Sequence, residues 1–98
     1  MSERDSKPEA RLHAVIRGRV QGVGFRYSTI RKAQELGVTG WVANRPDGTV
    51  ETVAEGDKAQ LRKLRSFLHE GPPSAMVQEV DSEWMSPTGE YDRFGVRY

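Results

Sequence analysis

The strongest constraint on the fold is a change of hydrophobic period across a glycine-spaced loop. In residues 11–17, Leu12, Ala14 and Ile16 fall on one side of an alternating run, the pattern of a half-buried strand. Gly18, Gly22 and Gly24 then interrupt it. From Phe25 to Leu36 the spacing becomes helical, with Tyr27, Ile30, Ala33 and Leu36 on one side and Gly37 placed as a left-handed stop.

Residues 38–44 and 49–55 read as two further strands. Arg45-Pro46-Asp47-Gly48 lies between them, its proline pre-setting a turn dihedral and its glycine accepting a positive one, which predicts a hairpin. Asp57, three residues before Gln60, makes an Asp variant of the capping box, and Leu61, Leu64, Phe67 and Leu68 supply the stripe of a second helix that Gly71-Pro72-Pro73 ends. Residues 77–85 read as a strand with Val80 and Trp84 inward, and Phe94, Val96 and Tyr98 alternate near the C-terminus. The order is βαββαβ with a short final strand. It predicts an α+β, ferredoxin-like split β-α-β sandwich, an antiparallel sheet with two helices on one face. Residues 1–9 are polar and aperiodic and read as a flexible tail, leaving residues 10–98 as one domain. A chain of 98 residues has room for a single core.

The same topology serves many functions, so the choice among them falls to composition and to a site. Cysteine is absent, which removes disulfides, thiolate metal sites and the Cys-x-x-Cys pair of a metal chaperone; His13 and His69 lie far apart. No stretch approaches the roughly 20 apolar residues of a membrane helix, and residues 1–7 lack the apolar run of a signal peptide. The expectation is a cytoplasmic protein with no membrane association, monomeric by default. An RNA-recognition fold stacks bases on aromatic residues of its third strand, but residues 48–55 contain none and are acidic, so nucleic acid is not an expected partner. Charge is uneven: residues 1–45 hold nine Lys and Arg against four Asp and Glu, and residues 46–98 hold six against ten. The early positives surround the glycine loop, as a site for a small anion requires, although most surface arginines are simply solvated.

The loop itself is Gly18-Arg19-Val20-Gln21-Gly22-Val23-Gly24-Phe25-Arg26. Its glycines allow successive N–H groups to turn toward one centre, the following helix adds the positive end of its dipole, and the Arg26 fork can donate two parallel hydrogen bonds to phosphoryl oxygens. The Gly-Lys-Ser/Thr ending of a nucleotide P-loop is missing, and Tyr27 stands where a dinucleotide fingerprint wants glycine or alanine. Taken alone, the loop reads equally well as a tight turn that needs its glycines. By the same standard Asn44 reads as a hairpin-flanking residue.

Two motifs together go further. Gly18-x-Val20-Gln21-Gly22-Val23-x-Phe25-Arg26 resembles the first signature of the acylphosphatase family, and Gly40-Trp41-Val42-Ala43-Asn44 followed by Gly48-x-Val50 and Gly56 resembles the second. The resemblance runs from His13 to Tyr98. It implies a ferredoxin-like hydrolase of small acyl phosphates that releases carboxylate and inorganic phosphate without metal or organic cofactor. It also implies that the loop amides of Gln21, Gly22, Val23, Gly24, Phe25 and Arg26 hold the phosphoryl group with the Arg26 side chain, while Asn44 orients the attacking water. Ser28 and Thr29 have no histidine or acid at a spacing that marks a nucleophile, and His13 and His69 read as structural. Tyr27, Trp41, Trp84 and Tyr98 read as core or pocket-edge packing, and Arg19 and Arg45 as cations that steer anions. The alternative is a non-catalytic anion-binding or protein-interaction module of the same fold, since such domains also occur inside larger proteins.

Overall fold

The computed structural model describes residues 7–98, so residues 1–6 of the expected tail over residues 1–9 lie outside the described residues. In chain order the elements are β1 (Ala10–Arg19), α1 (Phe25–Leu36), β2 (Thr39–Asn44), β3 (Val50–Gly56), α2 (Lys58–Glu70), β4 (Met76–Met85) and β5 (Phe94–Val96). They make a five-stranded sheet in the order β4-β1-β3-β2-β5. Pairing is antiparallel for β1 with β3, β1 with β4 and β2 with β3. Among the described residues no helix is long and apolar enough to cross a membrane.

Directly opposed residues of paired strands share a face, which divides the sheet cleanly. Leu12, Ala14 and Ile16 of β1 oppose Ala54, Thr52 and Val50 of β3, which in turn oppose Gly40, Val42 and Asn44 of β2. That face meets both helices: Leu12, Ile16, Val42 and Val50 share one core with Phe25 and Ala33 of α1 and Leu61, Leu64 and Leu68 of α2. Each fully buried leucine contributes roughly 1.5–3 kcal/mol of transfer free energy, so α2 is held chiefly by three side chains at helical spacing. Asn44 lies on the helix face at the very end of β2, so the register that buries Val42 also aims Asn44 toward α1.

Three sequence expectations are corrected here. Tyr27 does not join the buried stripe of α1 but is 65% exposed, and Thr29 takes the inner position with Phe25 and Ala33. Burial of its hydroxyl is tolerated because Thr29 Oγ1 donates to the Phe25 carbonyl at 2.8 Å. Asp57 does cap α2 by position, yet its side chain makes no capping bond; Glu9 Oε1 accepts from Lys58 N at 2.9 Å instead, brought alongside by the Glu9 N to Gly56 O bond. The last correction concerns β5, which pairs with β2 in parallel, so the sheet is not wholly antiparallel.

That parallel pairing follows from the route of the chain. From β4 at one edge to β5 at the other, it crosses the sheet face that carries no helix, touching Glu55, Arg11 and Trp41 as it goes. It arrives beside the start of β2, where Gly40 N donates to Arg93 O, and therefore runs on in the same direction as β2. The anchor of this crossing is Glu55, only 1% exposed, whose carboxylate accepts from Thr88 N at 2.8 Å, Gly89 N at 2.9 Å, Arg11 Nη1 at 3.0 Å and Thr88 Oγ1 at 3.1 Å. Burial pushes the Glu55 carboxyl up, but these donors outweigh it and hold the group below the usual glutamate range. A carboxyl whose folded value is depressed stabilises the fold above its unfolded value and loses that contribution as pH falls through the folded one. The expected result is that the stability gap between wild type and Glu55→Gln, read from urea midpoints between pH 7 and pH 2, is widest near neutrality and closes below about pH 4. A gap independent of pH would show that the charge of Glu55 does not anchor the crossing.

Candidate active site

Between β1 and α1 the chain makes a turn that only a glycine-spaced segment can make. Gly22 and Gly24 have φ of 75° and 81°, the left-handed region that costs an L side chain roughly 1–2 kcal/mol. Gly24 is the residue that caps α1, and it supplies no side-chain hydrogen bond; the first turn of the helix also lacks a carboxylate. The N–H groups at this end are therefore left to an external acceptor, and the helix dipole adds a positive potential. Among the described residues, no backbone carbonyl accepts from the N–H groups of residues 21–24.

Beside this helix end lies a cavity of about 280 Å³ lined by Val20, Gly22, Gly24, Phe25, Arg26, Tyr27, Ile30, Asn44, Val96 and Tyr98. Arg26 and Asn44, from α1 and β2, thus share one concave site with the loop. Arg26 has no carboxylate partner among the described residues; its guanidinium carbon stands 5.9 Å from the ring centre of Tyr98. Asn44 Oδ1 is buried and bonds no protein donor. Arg26, Asn44 and the two glycines of the helix end thus border the same space. Such a space suits a small anion together with a hydrogen-bond donor such as water.

Not every residue expected in the loop lines this cavity. Gly22, Gly24, Phe25 and Arg26 do, whereas Gln21 and Val23 do not. Val23 packs against the core, and its carbonyl accepts from Ser74 Oγ at 2.8 Å. The Gln21 side chain has a bracing position: Nε2 donates to both Arg45 O and Thr49 O at 2.8 Å. It thereby ties the loop to the turn that follows Asn44. That turn is closed by Arg45 N to Thr49 O, and the Asp47 carboxylate accepts from Thr49 Oγ1 at 2.6 Å and from Thr49 N at 3.0 Å. Those two bonds hold the Asp47 carboxyl below its usual range. No local pattern announces the Gln21 bridge, because its partners are backbone carbonyls 24 and 28 residues away.

Val20, Ile30 and Val96 also line the cavity, although the sequence pattern marks them only as motif or packing residues; the alternation of β5 with Phe94 is the signal that places Val96 on this side. The histidines lie elsewhere. His13 projects from the helix-free face, with Nε2 at 2.8 Å from Glu51 Oε2, and His69 Nδ1 lies 3.0 Å from Arg65 O one turn earlier in α2. Among the described residues no group of three or more His, Asp or Glu side chains is placed to hold a metal ion. A broader groove of about 790 Å³ runs along the other side of α1, but its walls mix both signs of charge, with Lys32 and Glu35 already paired at 3.6 Å.

Known proteins resemble the chain over nearly its whole length. The family model described as Acylphosphatase matches residues 12–96. A Pelotomaculum thermopropionicum protein named acylphosphatase is 49% identical over 89 residues, spanning 91% of this chain and 97% of the relative. One from Thermococcus kodakarensis with the same name is 54% identical over 79 residues, spanning 81% and 87%. The solved structure of an acylphosphatase from Coxiella burnetii superposes with a TM-score of 0.88 at 42% identity, covering 98% of this chain and all of that one. Both motif segments and the fold that joins them fall inside the matched region, and the chain belongs to the acylphosphatase family.

Proposed function

We propose that this protein hydrolyses the carboxyl–phosphate anhydride bond of small acyl phosphates. In this reading the phosphoryl group sits in the loop, bonded by amides of residues 21–26 and by the Arg26 fork, and Asn44 Oδ1 accepts from the attacking water. The observation that carries it is the orphaned Asn44 Oδ1, buried in the cavity that Arg26 and the open helix end also line. An acceptor there suits water, which donates, whereas the terminal oxygens of a phosphoryl dianion only accept.

The chemistry asks little more of the protein. The leaving group is a carboxylate, which departs without protonation, so no general acid is required. Water oxygen bonds to phosphorus as the bond to the acyl oxygen breaks, and one water proton passes to a phosphoryl oxygen, giving carboxylate and dihydrogen phosphate. Negative charge spreads over the equatorial oxygens in a loose transition state, where preorganised N–H groups and a guanidinium stabilise it most. Neither a metal nor a covalent enzyme intermediate has a step to perform. The absence of cysteine fits a reducing compartment, and the reading is of a cytoplasmic monomer whose residues 10–98 carry the whole site.

The test is release of inorganic phosphate from acetyl phosphate and benzoyl phosphate by the purified chain with a chelator present. Turnover in chelator is the expected result. Phosphate binding without turnover would favour the non-catalytic module.

A further inference from the structure

The segment that follows α2 touches the glycine loop at two points outside the cavity. Ser74 Oγ donates to Val23 O at 2.8 Å, and Gly71 lies so close to Phe25 that a Cβ added there would stand 2.7 Å from Phe25 Cε2. The Ser74 donor is presented by a turn, closed by Ala75 N on Pro72 O at 3.0 Å, in which Pro73 pre-sets a dihedral. Residues 71–75 line no part of the cavity that Arg26 and Asn44 share. Their two contacts fall on Val23 and Phe25, the residues on either side of Gly24.

Gly24 has little else to fix the peptide that precedes it. Its carbonyl accepts from Ser28 N at 3.0 Å within the first turn of α1, but a Cβ added at Gly24 would meet no atom within 4 Å, so packing does not hold it. No backbone carbonyl accepts from its N–H among the described residues. Flipping the peptide between residues 23 and 24 changes chiefly ψ of Val23 and φ of Gly24, and glycine adopts either sign of φ. The residue that permits the turn therefore also leaves its own amide free to rotate. In a trans peptide the C=O and N–H point in opposite directions, so a Val23 carbonyl held on Ser74 turns the Gly24 N–H away from the 71–75 turn.

We infer that Ser74 is a positioning residue for the phosphate loop, its hydroxyl locking the peptide between Val23 and Gly24 with the N–H turned to the phosphoryl group. The role rests on the hydrolase reading of the loop and extends its machinery to a side chain 51 positions from Val23. Ser74 touches no substrate and acts through Val23. Without the lock only a fraction of empty loops has this amide in place, and apparent affinity falls by that fraction, whereas a bound phosphoryl group selects the aligned loop again. The consequence is a raised KM with kcat nearly unchanged, the reverse of what loss of Arg26 produces.

Ser74→Ala and Ser74→Thr test this, and both side chains are accommodated because residue 74 is exposed and no described non-glycine residue has a positive φ. Ser74→Ala is expected to bind inorganic phosphate about fivefold more weakly by titration calorimetry and to raise KM for acetyl phosphate by the same factor, the effect of losing one ordinary hydrogen bond, while kcat stays within about twofold and the urea midpoint stays close to wild type. In the free protein the Gly24 amide resonance, sharp in wild type, is expected to broaden by exchange in Ser74→Ala. Ser74→Thr keeps the hydroxyl and should restore affinity, KM and the sharp resonance. Unchanged phosphate affinity in Ser74→Ala, or a threonine variant as impaired as the alanine one, overturns the lock. If wild type neither binds phosphate nor hydrolyses acetyl phosphate, the hydrolase reading fails and the Gly24 amide alone decides: broadening in Ser74→Ala that threonine removes supports the lock, and a sharp resonance in all three proteins overturns it.

Discussion

Arg26→Ala is expected to lose a factor of about 10² to 10³ in kcat for acyl phosphates, the cost of about 2.7–4 kcal/mol that follows loss of one preorganised donor at developing charge. Stability should hardly move. Arg26 lies at the open N-terminal end of α1, and stacking on an exposed tyrosine is its one cation–π contact among the described residues, worth roughly 0.5–1 kcal/mol at such a site. Thermal melting and steady-state kinetics on the same preparation check both halves of the statement. Arg26→Lys refines it: a lysine keeps the charge but not the two parallel donors, so it should recover only part of the lost rate. Wild-type turnover in the alanine variant would remove the guanidinium from the chemistry, and full rescue by lysine would reduce its role to charge alone.

The second large effect is expected at Asn44, with a different signature. If Asn44 places the water and the loop binds the phosphoryl group, Asn44→Ala loses about 10²-fold or more in turnover while binding inorganic phosphate nearly as well as wild type. Its stability should change little, because no protein donor bonds Asn44 Oδ1 and the residue stands at the very end of β2. Lost activity with unchanged urea midpoint is a combination that a merely structural asparagine does not produce. Loss of phosphate affinity in a folded variant would move Asn44 into the binding role.

Much of the fold is readable from local pattern. The helical period from Phe25 to Leu36 and the stop at Gly37 coincide with α1 to the residue, and the three leucines of α2 are buried where their spacing puts them. Where local reading fails, a distant partner has intervened. Tyr27 satisfies the helical period but α1 turns its Phe25–Thr29–Ala33 ridge inward, because those positions are the ones that meet the sheet and α2. Asp57 has the spacing of a cap, yet Glu9, 49 residues from Lys58, reaches the helix N-terminus first. Each sets a local preference of about 1 kcal/mol or less against a contact that only the folded chain brings together.

The site divides along the same line. Glycine at positions 22 and 24, an arginine at 26 and an asparagine at the end of a strand are chemical identities, and the sequence alone determined them together with the two motifs, the element order and the helix ends, since each depends on neighbours a few residues away. Only the tertiary structure decided that Asn44 shares a cavity with Arg26, that Gln21 turns from the loop to brace the hairpin, and that a parallel β5 carries Val96 and Tyr98 to the cavity's rim. Those facts depend on strand register and on a chain crossing anchored at a buried Glu55, contacts between residues more than 20 positions apart that no short-range periodicity encodes.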